Sequence, residues 1–538
     1  MKERTTGSQH SSKILLALSI LLLVLLVRIN YTILPFTWPD EALFSSPATE
    51  LAEGRPFATK VLSGLIYGMD RATLWNGPLY MTLLSVVYQF TGESQLAGRT
   101  FSLVLGIGAL AVFFLLTRRL TTPFIAGLAA IILALDPVFQ RASNTIRMDV
   151  LTLLLLLIAI YLSVGFSRAA LTPIAKGTTT DKTSPESSSG SDKKRLLMLF
   201  LAGVAAGLAG TSHPFAVIAI PVLFILLFPV WKELLLAAIG ILVGFAPWGI
   251  YILRNLDLFK EQFIPQLQRK EDFVRMLTGG ETGGVLNVYF SQYGFSPGSW
   301  PAMVIGALLY CFVFLVLAIF LWKLYRSGLT NLLSQESRIL FCFIAISGFA
   351  LISSEGWYVV YGDVLLILCA AILWNSRSQF NGQQDSWPLF QSLFTSVLPV
   401  ALGTMLILSG YFTIRHAILK THQTAQAFIQ ATVKDTAICE TVYLRVRPDP
   451  YFLIRTERPQ TRVLEFIPGK LRISPARVRN LIETLDTVDC FLIDRNKSWE
   501  PLLTNYLHER SGKFQVHPIR TQFPLSDVDL YVRKKHGN

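Results

Sequence analysis

Two adjacent carboxylates, Asp40 and Glu41, stand in the stretch Trp38-Pro39-Asp40-Glu41-Ala42-Leu43-Phe44, just beyond an apolar N-terminal run. Farther along, Arg147 and Asp149 occur together in IRMDV, His213 in TSHPF, and Glu355 and Tyr358 in SSEGWYVVYG. A site with one strong carboxylate base and several cations suits group transfer from an anionic leaving group. A phosphate departs without needing a proton, so the base need only deprotonate an incoming hydroxyl or amine. The cations hold the phosphate and stabilise its developing charge. Each residue also has a plainer reading. Asp40 and Glu41 suit a loop of solvated acids, Arg147 with Asp149 an ion pair at a helix mouth, and His213 a turn at a helix start. Trp357 and Tyr358 suit an aromatic belt at a membrane surface.

The elements that must position these residues are membrane helices. Of 538 residues, 52% are hydrophobic and only 15% charged, which excludes an ordinary soluble protein. The net charge of +13 lies largely between apolar runs, where Lys and Arg set topology and meet anionic lipid rather than nucleic acid. Spans are expected near 14–34, 98–117, 122–140, 150–167, 196–211, 214–230, 233–253, 301–322, 338–353, 357–374 and 391–413, about eleven in all. The first follows Lys2, Arg4 and Lys13 and reads as an uncleaved signal anchor with its N-terminus inside.

Residues 79–91, LYMTLLSVVYQFT, are apolar but short for a span. If they lie flat, Arg118-Arg119, the loop 168–195 and the loop from Lys323 to Arg338 all fall on the N-terminal side, as the positive-inside rule asks. That arrangement also gathers Asp40, Glu41, Arg147, Asp149, His213, the loop 254–299 and Glu355 on the opposite, outer face. A transporter would instead place ionisable groups near the midplane. Outside the cell no nucleotide sugar or ATP is supplied, so an activated donor on a lipid phosphate is the natural partner.

Residues 172–193, rich in Ser, Thr, Lys and Asp, read as a disordered cytoplasmic linker, and 376–390 as a shorter one. Arg99, at the mouth of the second span, could snorkel to headgroups. The loop 254–299 carries Arg254, Lys260, Arg269, Lys270 and Arg275, either a solvated loop or a lid whose cations meet the lipid phosphate. Beyond about Thr421 the pattern changes. Runs at 438–444, 463–467, 490–493, 514–516 and 528–532 read as strands and 474–485 as a helix, giving a small extracytoplasmic α/β domain over 416–538 behind a membrane module over 1–415. Cys439 and Cys490 could pair if that domain faces outward. No Cys or His spacing suggests a metal site.

In order along the first 415 or so residues, the motifs PDEALF, NGPLY, LAGRTFSLVLGIGALAVFFLLTRRL, RMDVLTLLLLL, GLAGTSHPFAVIAIPVL and EGWYVVYGDVLLIL resemble those of the GT-C-type membrane glycosyltransferases, in particular the protein O-mannosyltransferase and aminoarabinose-transferase branch. The resemblance implies a GT-C-like polytopic helical fold with juxtamembrane helices, a polyprenyl-phosphate sugar donor and inverting single displacement. It makes Asp40 the base and gives Glu41 the orienting of loop or acceptor. Arg147, His213, Arg269 and Lys270 are then candidates for the donor phosphate, with Asp149, Glu355 and Tyr358 elsewhere in the site. His213 stands where the aminoarabinose branch has a lysine, and Asn76-Gly77-Pro78 where relatives carry charged or His residues. No cofactor is required, and a divalent metal is optional but unsupported by the sequence. The expected location is the plasma (inner) membrane, with the acceptor unspecified. The competing readings are a lipid-linked-sugar flippase or transporter and a non-catalytic cell-envelope subunit.

Overall fold

The computed structural model describes residues 2–30, 36–167, 189–265, 312, 315–322, 325, 334–353, 356–380, 388–465, 475–495, 501–522 and 525–534. Thirteen membrane-module helices are named: α1 Lys2–Ile29, α2 Pro39–Ala52, α3 Leu79–Thr91, α4 Gln95–Leu120, α5 Pro123–Leu135, α6 Pro137–Ala142, α7 Asp149–Phe166, α8 Ser189–Ser212, α9 Ala219–Leu227, α10 Trp231–Arg254, α11 Gln335–Ser353, α12 Val359–Phe380 and α13 Pro388–Ile418. Among the described residues seven helices are long and apolar enough to cross a membrane. The span in α12 is 89% buried and central, whereas that in α1 is 22% buried and peripheral.

Several boundaries differ from the sequence reading for local reasons. The run 122–140 is broken at Asp136. Pro137 has no N–H to continue a helix, and the Asp136 carboxylate caps the next one, accepting from Val138 N at 3.0 Å and Phe139 N at 3.2 Å. The run 214–230 opens as a 3-10 turn, Pro214–Ile218, before α9. α12 continues to Phe380, so the second linker is shorter than 376–390, and α8 already begins at Ser189 inside the expected 172–193 linker. Residues 256–265 are helical within the expected 254–299 loop. The 13 residues of α3 span about 20 Å at 1.5 Å each, too short to cross and in keeping with a juxtamembrane helix.

α8 and α10 pack backbone to backbone. A Cβ on Gly203, Gly207, Gly240 or Gly244 would lie 2.1–2.4 Å from a carbonyl oxygen of the facing helix. Each helix thus presents small residues four apart, which lets apolar helices approach where lipid gives no hydrophobic drive.

The C-terminal region forms a five-stranded mixed sheet of order β2-β1-β3-β5-β4, with β1 Thr441–Arg445, β2 Arg462–Leu464, β3 Cys490–Asp494, β4 Phe514–Ile519 and β5 Val528–Arg533. β2, β1 and β3 run parallel; β5 and β4 are antiparallel. Every expected strand is present, and the helix expected at 474–485 runs Pro475–Asp486. The helices Tyr451–Glu457 and Pro501–Glu509 were not foreseen. Cys439 and Cys490 form a disulfide. This sheet does not stand apart. Val442, Leu444, Tyr451 and Cys490 share one apolar core with Phe44, Tyr80, Leu84 and Ile146 of the helical part. Main-chain bonds join the two parts, Asp449 N to Thr37 O and Glu465 N to Val61 O, both at 2.9 Å.

Candidate active site

α2 begins where the acidic pair stands. Trp38 is extended, Pro39 pre-sets the first turn, and Asp40 and Glu41 occupy it, where the helix N-terminus favours negative charge. One turn orientates two very different carboxylates. Glu41 points inward and is fully buried. Arg99 of α4 donates Nε to Oε1 at 2.9 Å and Nη2 to Oε2 at 3.0 Å, while Gln95 Nε2 and the Ile146 amide donate at 3.2 Å each. Arg99 therefore does not snorkel; it is 1% exposed and fixes α2 to α4 and to the turn 143–148. Asp40 points outward, its side chain 29% exposed, and its Oδ2 accepts from Arg147 Nη1.

The turn carrying Arg147 lies on α4 because α4 is small there. A Cβ at Gly106 would lie 2.3 Å from Ser143 Oγ. Below it the Tyr80 hydroxyl meets Ser102 Oγ at 2.8 Å, and Ser102 donates to Thr145 O at 2.7 Å. Held this way, Arg147 bridges Asp40 and Asp149, giving Nε to Asp149 Oδ2 at 2.8 Å. Its guanidinium also lies 4.3 Å from the ring centroid of Trp357 and 5.7 Å from that of Phe44. Asp149 is buried in the first turn of α7. Its other oxygen, Oδ1, has no hydrogen-bond partner among the described residues.

His213 caps the 3-10 turn, its Nδ1 accepting from Phe215 N at 2.8 Å. A ring nitrogen that accepts carries no proton, so this imidazole is neutral and supplies a hydrogen bond rather than a charge. It meets the edge of Tyr358 at 5.0 Å, and Phe215 packs between Tyr358 and Tyr361 at 4.6 Å from each. Tyr361 donates its hydroxyl to Asp149 O at 3.2 Å, tying this aromatic group to the acidic one. The NGP segment packs against the same corner: a Cβ at Gly77 would lie 2.1 Å from Thr211 O.

The structure thus brings Asp40, Arg147 and Asp149 into direct contact, sets His213 and Tyr358 beside them through Phe215 and Tyr361, and turns Glu41 away into the scaffold. Arg269, Lys270 and Glu355 lie outside the described residues. Two further groups join the site. Arg141 of α6 places its guanidinium 4.4 Å from the Trp357 centroid, so one indole serves two arginines, and Trp38 meets Trp357 edge-on at 5.8 Å. Arg141 lies in the short helix that follows the Asp136-Pro137 break, six residues before Arg147, and nothing in the sequence motifs singled it out. Among the described residues no three His, Cys, Asp or Glu side chains converge as a metal ion would need. Asp40 and Asp149 instead share a guanidinium.

Residues 48–256 match the family model described as dolichyl-phosphate-mannose-protein mannosyltransferase. No curated protein is similar enough in sequence to match. Among solved structures, ArnT from Cupriavidus metallidurans, determined bound to undecaprenyl phosphate, superposes with a TM-score of 0.51 at 14% identity, over 97% of this chain and 98% of that one. The chain thus has the fold of these membrane glycosyltransferases, and its segment 48–256 is similar to the mannosyltransferase family. The Archaeoglobus fulgidus oligosaccharyltransferase, determined tethered to an acceptor peptide, has the same fold with a TM-score of 0.51 at 12% identity, over 98% of this chain and 74% of that one. The acidic pair, the RMD turn and the TSHPF corner all lie within or beside the matched segment.

Proposed function

We propose that this chain moves a sugar from a polyprenyl-phosphate donor to a hydroxyl or amine of an acceptor on the outer side of the plasma membrane. The observation that carries the reading is the Asp40–Arg147–Asp149 contact, with Arg141 joining Arg147 on the Trp357 indole. A carboxylate open to the acceptor stands next to cations suited to a phosphate. Asp40 takes the acceptor proton as the nucleophile attacks C1 opposite the phosphate, which inverts that centre. Arg147 and Arg141 hold the departing lipid phosphate, and His213 adds a neutral hydrogen bond. Asp149 Oδ1, buried and without a donor among the described residues, suits a hydroxyl of the sugar.

A donor phosphate competes with Asp40 for the Arg147 guanidinium, and its arrival frees the Asp40 carboxylate to meet the acceptor.

The loops rich in Lys and Arg support an inside N-terminus and an outside C-terminal domain, and the Cys439–Cys490 disulfide fits an oxidising compartment. We take 1–415 as the catalytic module and 416–538 as a domain docked on its outer face. The test is turnover by the purified full chain with a panel of polyprenyl-phosphate sugars. Sugar should appear on an acceptor with one of them. Flipping of labelled lipid in vesicles without any transfer would favour the transporter reading instead.

A further inference from the structure

The C-terminal domain reaches the site through one guanidinium. Arg447 follows β1 in the segment Arg445-Val446-Arg447-Pro448-Asp449-Pro450 and lies against the ring face of Trp38. Trp38 is two residues from Asp40, and its ring meets Trp357, which carries Arg147 and Arg141. An unbroken run of rings and guanidinium groups therefore leads from the soluble domain to the acidic pair.

The domain is anchored without Arg447. Beside the two main-chain bonds at Thr37 and Val61, the Tyr451 hydroxyl donates to Glu93 Oε1 at 2.6 Å, and Thr484 Oγ1 to Gly64 O at 3.2 Å. Arg447 itself makes no hydrogen bond and no ion pair with the described residues. The carboxylates of Asp494 and Asp449 act on it only at longer range, and burial lowers its pKa to about 9. Arg447 is partly exposed, so part of its planar fork of donors stays open to water and to an arriving anion.

We propose that Arg447 binds a phosphate or carboxylate group of a substrate, so that the C-terminal domain completes the site at Trp38. This rests on the glycosyl-transfer reading for the word substrate, but the anion site stands or falls separately. The anionic group could belong to the lipid donor or to the acceptor. In either case it would lie on the guanidinium edge left open by the stacking on Trp38.

The test uses the purified full chain in detergent, with wild type, Arg447→Lys, Arg447→Gln and Arg447→Met. Arg447→Met keeps an apolar cover over Trp38 and removes the charge. Tryptophan fluorescence and thermal stability are followed while inorganic phosphate, and separately undecaprenyl phosphate, is titrated in. Wild type should bind at least one probe. Arg447→Gln and Arg447→Met should weaken that binding about 10-fold or more, and Arg447→Lys less, since it keeps charge but loses the planar fork. Loss confined to undecaprenyl phosphate assigns the group to the donor. Loss confined to inorganic phosphate assigns it to the acceptor. Unchanged affinity of Arg447→Met for both probes overturns the proposal, whether or not its melting temperature falls, and so does a wild type that binds neither. Because binding is read without turnover, a failure to transfer sugar leaves this result standing.

Discussion

Glu41 and Arg99 form a two-pronged ion pair inside the protein, at 2.9 and 3.0 Å, with side chains 0% and 1% exposed. The pair divides the labour of the acidic dipeptide. Glu41 holds the start of α2 against α4 and the 143–148 turn, and Asp40 is left partly exposed beside Arg147. Geometry of this kind needs every donor used, because a carboxylate withdrawn from water with lone pairs unfilled would oppose folding. Here Arg99, Gln95 and the Ile146 amide fill them.

Replacing one partner leaves the other charge buried and alone. Glu41→Gln and Arg99→Gln should each lower stability by about 3–5 kcal/mol, seen as a fall in melting temperature of the detergent-solubilised protein. The double variant Glu41→Gln with Arg99→Gln should be less destabilised than the sum of the singles. Additive losses would mean the two residues do not act as a pair.

Arg147 is expected to act on donor phosphate as well as on Asp40. Arg147→Ala should reduce kcat/KM on the order of 10²-fold, with a raised donor KM. Arg147→Lys should recover only part, since an ammonium cannot bridge two carboxylates and stack on Trp357 together. An unchanged donor KM in both variants would reduce Arg147 to an ion-pair partner of Asp149.

The docking of the C-terminal domain should depend on pH. Burial raises Asp449 to about 7 from 3.8, against bonds from Tyr451 N and Glu465 that lower it. Glu93, which faces Tyr451 and Arg455, is raised by burial in the same sense. The groups around Asp449 are Glu465, Arg447 and, farther off, Glu41. A carboxyl with a raised folded value binds its proton more tightly when docked. Its contribution therefore declines as pH rises from about 4 to about 7 and is level above that. Hydrogen exchange across 441–465 should be slower at pH 5.5 than at pH 8 after correction for intrinsic rates, on the order of several-fold. Asp449→Asn should flatten the dependence; a slope of the opposite sign would contradict the assignment.

The disulfide should stabilise the sheet and leave the helices unaffected. Cys439→Ser with Cys490→Ser should cost the C-terminal domain about 2–4 kcal/mol, read as earlier proteolysis of that domain. Free thiols at both positions in protein purified under oxidising conditions would contradict the pairing.

The membrane helices and the five strands were legible because hydrophobic period and length leave few alternatives. The first-turn acids of α2 were legible through their motif. Their separate fates were not, because which of two adjacent carboxylates turns inward depends on Arg99 and Ile146, 58 and 105 residues away. Arg99 read as a headgroup contact because a lone arginine at a helix mouth looks alike whether it meets lipid or a buried partner. Arg141 stands just past the end of the apolar run 122–140, and no motif set it apart from an ordinary charge at a span's end. Arg447 could not be linked to Trp38 by any periodicity, since a sheet some 400 residues downstream delivers it.

The central claim is that Asp40 is the base. Its most direct measurement compares Asp40→Asn with wild type in single-turnover transfer from the polyprenyl-phosphate sugar that the wild type uses. The account predicts transfer slowed by about 10²–10⁴-fold, with donor binding and melting temperature little changed. Equal rates in the two proteins would contradict it.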